Sequence, residues 1–257
     1  ISNSELIDNQ GDNTIYIAAE SDQFIIENSL LWNITPITTR SSGIGIIRNS
    51  TIGQDDGHPV TVITSGLVAR MHLLHNTIIG NNLSNSLILR QGTEVIGEAN
   101  LLINARCYVD YDIWESVGYN VSTGDCQLWD PTDIPNADIA VSPLTDNGGP
   151  TRTVFPFHGS IGIDLIPPED CKLYSDQRGF SRPSNINCDV GAVEVAFNLA
   201  TPTDVQLSSD TVNAKTDISW VDNSNDETQF IIIRRGSNDD QWSVLATVPA
   251  NTTQFSD

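Results

Sequence analysis

Apolar positions along the first hundred residues come in short alternating runs: "TIYIAA", "QFIIENSLL", "GIGIIRNSTI", "VTVITSGLVA" and "SLILR". Each is strand-length and none sustains a 3.6-residue period, so the pattern predicts strands rather than amphipathic helices. A short phrase recurs with the runs: "SNSEL" at 2–6, "ENSLL" at 27–31, "RNSTI" at 48–52, "HNTII" at 75–79 and "ANLLI" at 99–103. Its asparagines, Asn3, Asn28, Asn49, Asn76 and Asn100, are spaced by 25, 21, 27 and 24 residues. One coil of two or three short strands cannot bury its own apolar face, whereas stacked coils can. Asparagine at one place in every coil predicts a ladder of side-chain amides running through the stack. Leucine-rich repeats share the period but need a denser leucine pattern. The spacing therefore predicts a right-handed parallel β-helix. From 104 to 140 the pattern loosens, with Cys107, Trp114, Cys126 and Trp129 among turns.

Beyond about residue 200 the alternation continues in longer runs. Ile218 and Trp220, then Phe230 and Ile232, fall two apart and so share a face. The predicted fold class is all-β, a solenoid over 1–197 followed by a second, separate set of strands over 201–257.

Charge and composition narrow the functional classes. The 257 residues include 33 acidic and 12 basic side chains, a formal net charge of -21 at pH 7. The balance argues against nucleic acid and anionic lipid as partners, since both are repelled at long range. The balance fits an extracellular protein kept soluble by charge. Neither a signal peptide nor a membrane span is visible. The chain opens on "ISNSEL", inside a repeat and without Met, and reads as a segment of a longer or processed protein. Cys107, Cys126, Cys171 and Cys188 show no CxxC spacing, which speaks against a zinc ribbon or a redox pair. Local bridges Cys107–Cys126 and Cys171–Cys188 are the simplest of three connectivities, with four buried thiols as the alternative; bridges imply an oxidising compartment.

The succession "PLTDNGGPT", "HGSIGID", "DQRG", "RP" and "CDVGAVE" within 142–194 resembles the end of secreted bacterial β-helix proteins with a choice-of-anchor Q domain. These are large surface proteins related in pattern to polymorphic outer-membrane proteins. "VFPFHGSIGID" departs from the family's usual leucine- and alanine-rich stretch. The resemblance implies a β-helix and an exported protein, and no established reaction. Residues 201–257 resemble the opening of a fibronectin type III domain. That resemblance implies an incomplete β-sandwich, with Trp220 in "ISWVDNS" on strand B, "ETQFIIIRR" as strand C, "WSVLATV" as strand C′ and "TTQFSD" as strand E. Strands F and G are not in the sequence. Either the chain is cut within the domain or another subunit supplies the partner strands.

The densest charge cluster is Asp176, Arg178, Arg182, Asp189 and Glu194. It has two readings: a structural cap whose guanidiniums hold a loop over the open end of the stack, or a carboxylate pair for glycoside hydrolysis with an arginine for an acidic sugar. The cap is preferred. Asp55, Asp56 and His58 lie in one loop rather than on different coils and read as a solvated acidic turn. Of Arg40, Arg48, Arg70 and Arg90, the pair Arg48 and Arg70 is one coil apart and reads as a stacked surface row. His72 and His75 point to opposite faces of a strand and cannot share a metal. Asp222, Asp226 and Glu227 read as a turn; calcium there is possible in principle but not indicated. The sequons at Asn33, Asn49, Asn82, Asn120 and Asn251 are expected by chance in so Asn-rich a chain.

No catalytic residue, metal site or cofactor is predicted. The expected role is a non-enzymatic structural or adhesive protein of a bacterial cell surface, a rigid stalk or filament subunit that self-associates. The competing classes are a carbohydrate-active β-helix enzyme and a glycan-binding adhesin, with Tyr111, Trp114 and Trp129 as aromatic candidates.

Overall fold

The computed structural model describes residues 1–8, 15–17, 23–34, 37–39, 43–54, 63–65, 70–80, 87–90, 94–105, 107–110, 113–124, 126, 128–157, 159–196, 200–210, 215–224, 227, 229–237 and 242–257. Among these the regular structure is all strand, and no helix is long and apolar enough to cross a membrane. The chain divides into two compact units, Ile1–Val195 and Ala196–Asp257.

In the first unit the chain visits three parallel sheets in rotation, returning to each with every third strand. The six-stranded sheet holds Glu5–Ile7, Leu30–Trp32, Thr51–Gly53, Thr77–Ile79, Leu101–Ile103 and Val121–Ser122 in that order. A second sheet holds Ile15–Ile17, Ile37–Thr39, Ile63–Ser65, Leu87–Arg90 and Cys107–Asp110. A third holds Gln23–Glu27, Ile44–Arg48, Arg70–Leu74, Glu94–Glu98 and Ile113–Gly118. Each turn of chain thus lies in register on the one before: Leu31 on Leu6, Ile52 on Leu31, Ile78 on Ile52, Leu102 on Ile78.

The recurring phrase marks the corner from the third sheet into the six-stranded one, and two residues make each corner. The first has positive φ: Asn3, Asn28, Asn49, His75, Ala99 and Tyr119, all between 46° and 57°. Asparagine tolerates this conformation better than other residues with a Cβ. The second is the ladder position: Ser4, Ser29, Ser50, Asn76, Asn100 and Asn120. Asn76 N donates to Asn100 Oδ1 at 3.0 Å, and Asn100 N to Asn120 Oδ1 at 3.0 Å. The amide Nδ2 of Asn76 also reaches Asn100 Oδ1, and that of Asn100 reaches Asn120 Oδ1. The three amides donate further to the carbonyls of Ile47, Leu73 and Gly97. Hydroxyls serve in the earlier turns, where Ser4 N donates to Ser29 Oγ, Ser29 N to Ser50 Oγ and Ser50 N to Asn76 Oδ1. The predicted asparagine column is therefore corrected. Asn76 and Asn100 stand in the ladder, while Asn3, Asn28 and Asn49 stand one residue earlier, in the left-handed position.

The sheets differ in burial. Strands of the third sheet alternate, with Ile26, Ile47, Met71, Leu73 and Val95 facing the core. In the six-stranded sheet, the strands Leu30–Trp32, Thr51–Gly53 and Leu101–Ile103 are buried on both faces. Leu31, Ile52, Ile78 and Leu102 point into the central core, while Leu30, Trp32, Leu101 and Ile103 point the other way and are equally dry. Each such side chain contributes roughly 2 kcal/mol on leaving water. Residues 139–195 cover this outer face: Val154 packs with Leu30 and Trp32, while Ile139, Ile166, Cys188 and Val190 pack with Leu101 and Ile103.

The second unit pairs Thr203–Asp210 with Lys215–Val221, and that strand with Gln254–Ser256, both antiparallel. Gln229–Arg234 and Ser243–Pro249 form a separate antiparallel pair. Trp220 is buried, its ring 5.4 Å from that of Phe230.

Candidate functional site: the strap and its clasp

Residues 142–157 and 159–195 make a strap with little regular structure, tied to every turn of the six-stranded sheet. Arg152 pairs with Glu5 at 3.0 Å, and Thr151 Oγ1 donates to the Asn28 carbonyl. Asn49 Nδ2 donates to Ser175 O at 2.6 Å, and Thr51 Oγ1 to Gln177 Oε1 at 2.7 Å. Farther along, Ala192 N donates to Thr77 Oγ1, Gly191 N to Ala99 O, and the Tyr119 hydroxyl to Asp170 Oδ2. That last bond, aided by burial, pushes the Tyr119 phenol up to about 12. At Gly191 the φ is 94° and a Cβ would lie 2.8 Å from Thr77 Oγ1 and 3.0 Å from Leu101 Cβ, so the strap comes this close only as glycine. The Cys171–Cys188 disulfide closes a loop inside the strap and stabilises it by roughly 3 kcal/mol. Cys126 is also disulfide-bonded; the side chain of Cys107, its expected partner, lies outside the described residues.

The charged cluster holds the end of this strap together. Asp176 Oδ1 accepts the backbone N–H of Arg178 and Phe180; its Oδ2 accepts Arg178 Nε at 2.9 Å, Nη2 at 2.8 Å and Glu194 N at 2.9 Å. Arg178 Nη2 donates to the Glu194 carbonyl as well, and the guanidinium lies 4.4 Å from the Phe180 ring centroid. Arg182 Nη1 donates to Glu194 Oε2 and to Asp189 O, both at 2.9 Å, and its Nη2 to Gly191 O at 2.6 Å. Glu194 Oε1 accepts Ser184 N, and Oε2 accepts Asp189 N. Asp189 accepts the N–H of Asp164 and of Val195. All five side chains are buried. Charge-assisted bonds of this kind are strong where water is excluded, and each one here fixes a stretch of irregular backbone.

The location corrects one expectation. The cluster does not sit over the open end of the stack; it lies along the side of the six-stranded sheet, where the apolar outer face needs cover. The last turn is covered by other residues. Ile134 bridges to Val121, Asp133 Oδ1 accepts Asn120 N at the head of the ladder, and Cys126 and Leu128 pack on the central core.

Burial sets the proton chemistry of the clasp. Asp189 is raised to about 7, first by burial and then by the charge of Glu194. His75, the left-handed residue of its corner, is fully buried and held well below its ordinary value, by burial first and by Arg182 second. The sequence reading missed His75 in this role because it places the residue in a strand; the structure has it past the strand end, so its relation to His72 is not that of opposite faces. Gln177 was missed too, although its buried amide links Thr51, Thr151 and the Arg152 carbonyl. The available signal was the contiguous triplets "LLW", "TII" and "LLI", which mark strands covered on both faces.

Other candidates are dispersed. Arg48 and Arg70 do not form one row: Arg48 is in register with Glu27 and Leu74, Arg70 with Ile44 and Glu94. Each pairs with a carboxylate, Arg48 with Glu27 and Arg70 with Glu94. Trp114 is buried, and Trp129 is 79% exposed. Asp55, Asp56, His58, Arg40, Tyr111, Asn82 and Asp226 lie outside the described residues, as does the side chain of Arg90. Asn49 and Asn120 are buried. Glu227 accepts Asn251 N, and Asp222 accepts Ser224 N. Among the described residues no three metal-ligating side chains come together. No family model, curated protein or solved structure matches the chain.

Proposed function

We propose that the chain is a non-enzymatic structural or adhesive module of an exported bacterial surface protein. Its first unit is read as a right-handed parallel β-helix of the choice-of-anchor Q type, and its second as fibronectin type III-like. The observation that carries this reading is the disposition of the clasp. Its carboxylates and guanidiniums are buried and bonded to strap backbone and to one another, the arrangement of a fastening rather than of a substrate site. Three sheets visited in rotation and a side-chain ladder support the β-helix. The Cys171–Cys188 disulfide favours an oxidising, extracellular setting. Self-association into a stalk or filament belongs to the same proposal.

The test is turnover of a panel of acidic and neutral polysaccharides, read as reducing or unsaturated ends. The expected result is none. Product formation that disappears when one surface carboxylate is changed would overturn the proposal in favour of a carbohydrate-active enzyme. A second reading, glycan adhesion without turnover, is favoured by the exposed rings of Trp129 and Tyr174, the latter 92% exposed. It predicts glycan-array binding that is lost in Trp129→Ala or Tyr174→Ala.

A further inference from the structure

Near its start the strap turns back on itself through Asp146-Asn147-Gly148-Gly149. Two backbone bonds close this turn, Thr145 N to Thr153 O at 3.1 Å and Thr153 N to Thr145 O at 3.0 Å. Asn147 is half-buried at the tip. Its amide Nδ2 donates to Thr153 O and to Thr153 Oγ1, both at 3.0 Å, and its carbonyl accepts Arg178 Nη1 at 3.3 Å. The tip thus rests on the clasp. A Cβ on Gly149 would lie 2.6 Å from Arg178 Cα, so only glycine comes this close. The tip is also open to water: Asp146 and Gly148 are exposed, and Gly148 N donates to Asp146 Oδ1 at 3.0 Å. A peptide nitrogen that follows asparagine can close a five-membered ring on the side-chain carbonyl carbon, and a glycine there leaves the approach unobstructed. No other asparagine in the chain precedes a glycine.

We propose that Asn147 is a site of self-deamidation through Gly148, with Asp146 as the base, and that the reaction unfastens the tip from the clasp. Gly148 N forms a bond to Asn147 Cγ while Asp146, already holding that N–H, takes its proton. The bond from Cγ to Nδ2 then breaks, and the nitrogen leaves as ammonia with a proton returned through solvent. Water opens the five-membered imide at either carbonyl, leaving aspartate or isoaspartate. Asparagine and one water become an acid and ammonia, with no oxidant or cofactor. Aspartate puts a carboxylate oxygen where Nδ2 donates to the carbonyl of Thr153, a fully buried residue, so a bond becomes a repulsion. Isoaspartate adds a carbon to the backbone and moves the carbonyl that accepts Arg178 Nη1.

The experiment incubates the full chain at neutral pH and follows conversion at residue 147 by peptide mapping with mass spectrometry. It compares wild type with Asp146→Ser, whose hydroxyl can still accept the Gly148 N–H but is no base. Both are measured folded and in urea. Folded wild type is expected to convert at least about fivefold faster than the variant, and the two to convert alike in urea, where the Asp146 contact is lost. A smaller folded ratio, or the same ratio in urea, overturns the proposal. Asp146 is exposed, so the variant keeps the fold; unaltered hydrogen exchange of Leu101–Ile103 checks this. Deamidated wild type, separated by its extra negative charge, is then compared with fresh protein. Exchange of the Thr145 and Thr153 amides is expected to be at least about tenfold faster in the deamidated chain. A lesser change shows the tip still fastened and also overturns the proposal.

Discussion

Two adjacent residues at each corner do different work, and substitution separates them. Asn28 supplies only its backbone conformation, with a φ of 51°. Asn28→Ala is expected to cost about 1 kcal/mol, because a Cβ without a compensating side-chain bond is disfavoured there, while Asn28→Gly costs nothing measurable. Urea denaturation of the two variants checks this. Asn100 works through its side chain, accepting from Asn76 and donating to Leu73 O and Asn120 Oδ1. Asn100→Ala leaves those buried groups unpaired and is expected to cost about 3 kcal/mol. Asn100→Ser is expected to cost about half as much, since serine at the equivalent Ser50 accepts from Ser29 N and donates to Arg48 O. Equal losses for the alanine and serine variants would show that the column acts by packing rather than by hydrogen bonding.

At the scale of elements, the strap depends on the planarity of Arg182. One guanidinium spans Glu194 Oε2 and the carbonyls of Asp189 and Gly191. A lysine ammonium has the charge but not the fork, so Arg182→Lys is expected to lose about 2 kcal/mol, and Arg182→Met, which strands Glu194 in the interior, about 3–5 kcal/mol. Thermal unfolding of both variants gives the ranking, and a lysine variant as stable as wild type would mean that charge alone holds the clasp. The strap also shows what a sequence reveals and conceals. Stacked strands were legible because each run carries its own alternation. The ladder register was not: Asn fills the left-handed position in the first three turns, and the ladder position in the turns of Asn76, Asn100 and Asn120. A pattern search for Asn therefore slips by one between Asn49 and Asn76. The cluster Asp176–Glu194 stood out in the sequence, since so few arginines stand so close to carboxylates. Its position did not, because residues 142–195 meet residues 5–119 only through contacts distant in sequence, such as Thr51 with Gln177.

For the whole molecule, burial is divided unevenly between the two units. The three hydrophobic clusters all lie within Ile1–Val195. In Ala196–Asp257 the one fully described large apolar side chain that is buried is Trp220, while Leu207 on the neighbouring strand is 71% exposed. A unit with so little apolar surface removed from water has little to set against the entropy of ordering its strands. The second unit is therefore expected to open first. In native-state hydrogen exchange, amides of Lys215–Val221 should exchange at least about a hundredfold faster than those of Leu101–Ile103, a difference of about 3 kcal/mol in opening. Trp220→Ala removes the centre of the second unit and is expected to abolish its protection altogether, at a cost of about 3–5 kcal/mol. The same variant should leave the exchange of Leu101–Ile103 unchanged, because the clusters that bury those residues are built from the first unit alone. If protection fell together in both units, the two would form one cooperative body, and the division of the core would not describe how the chain unfolds.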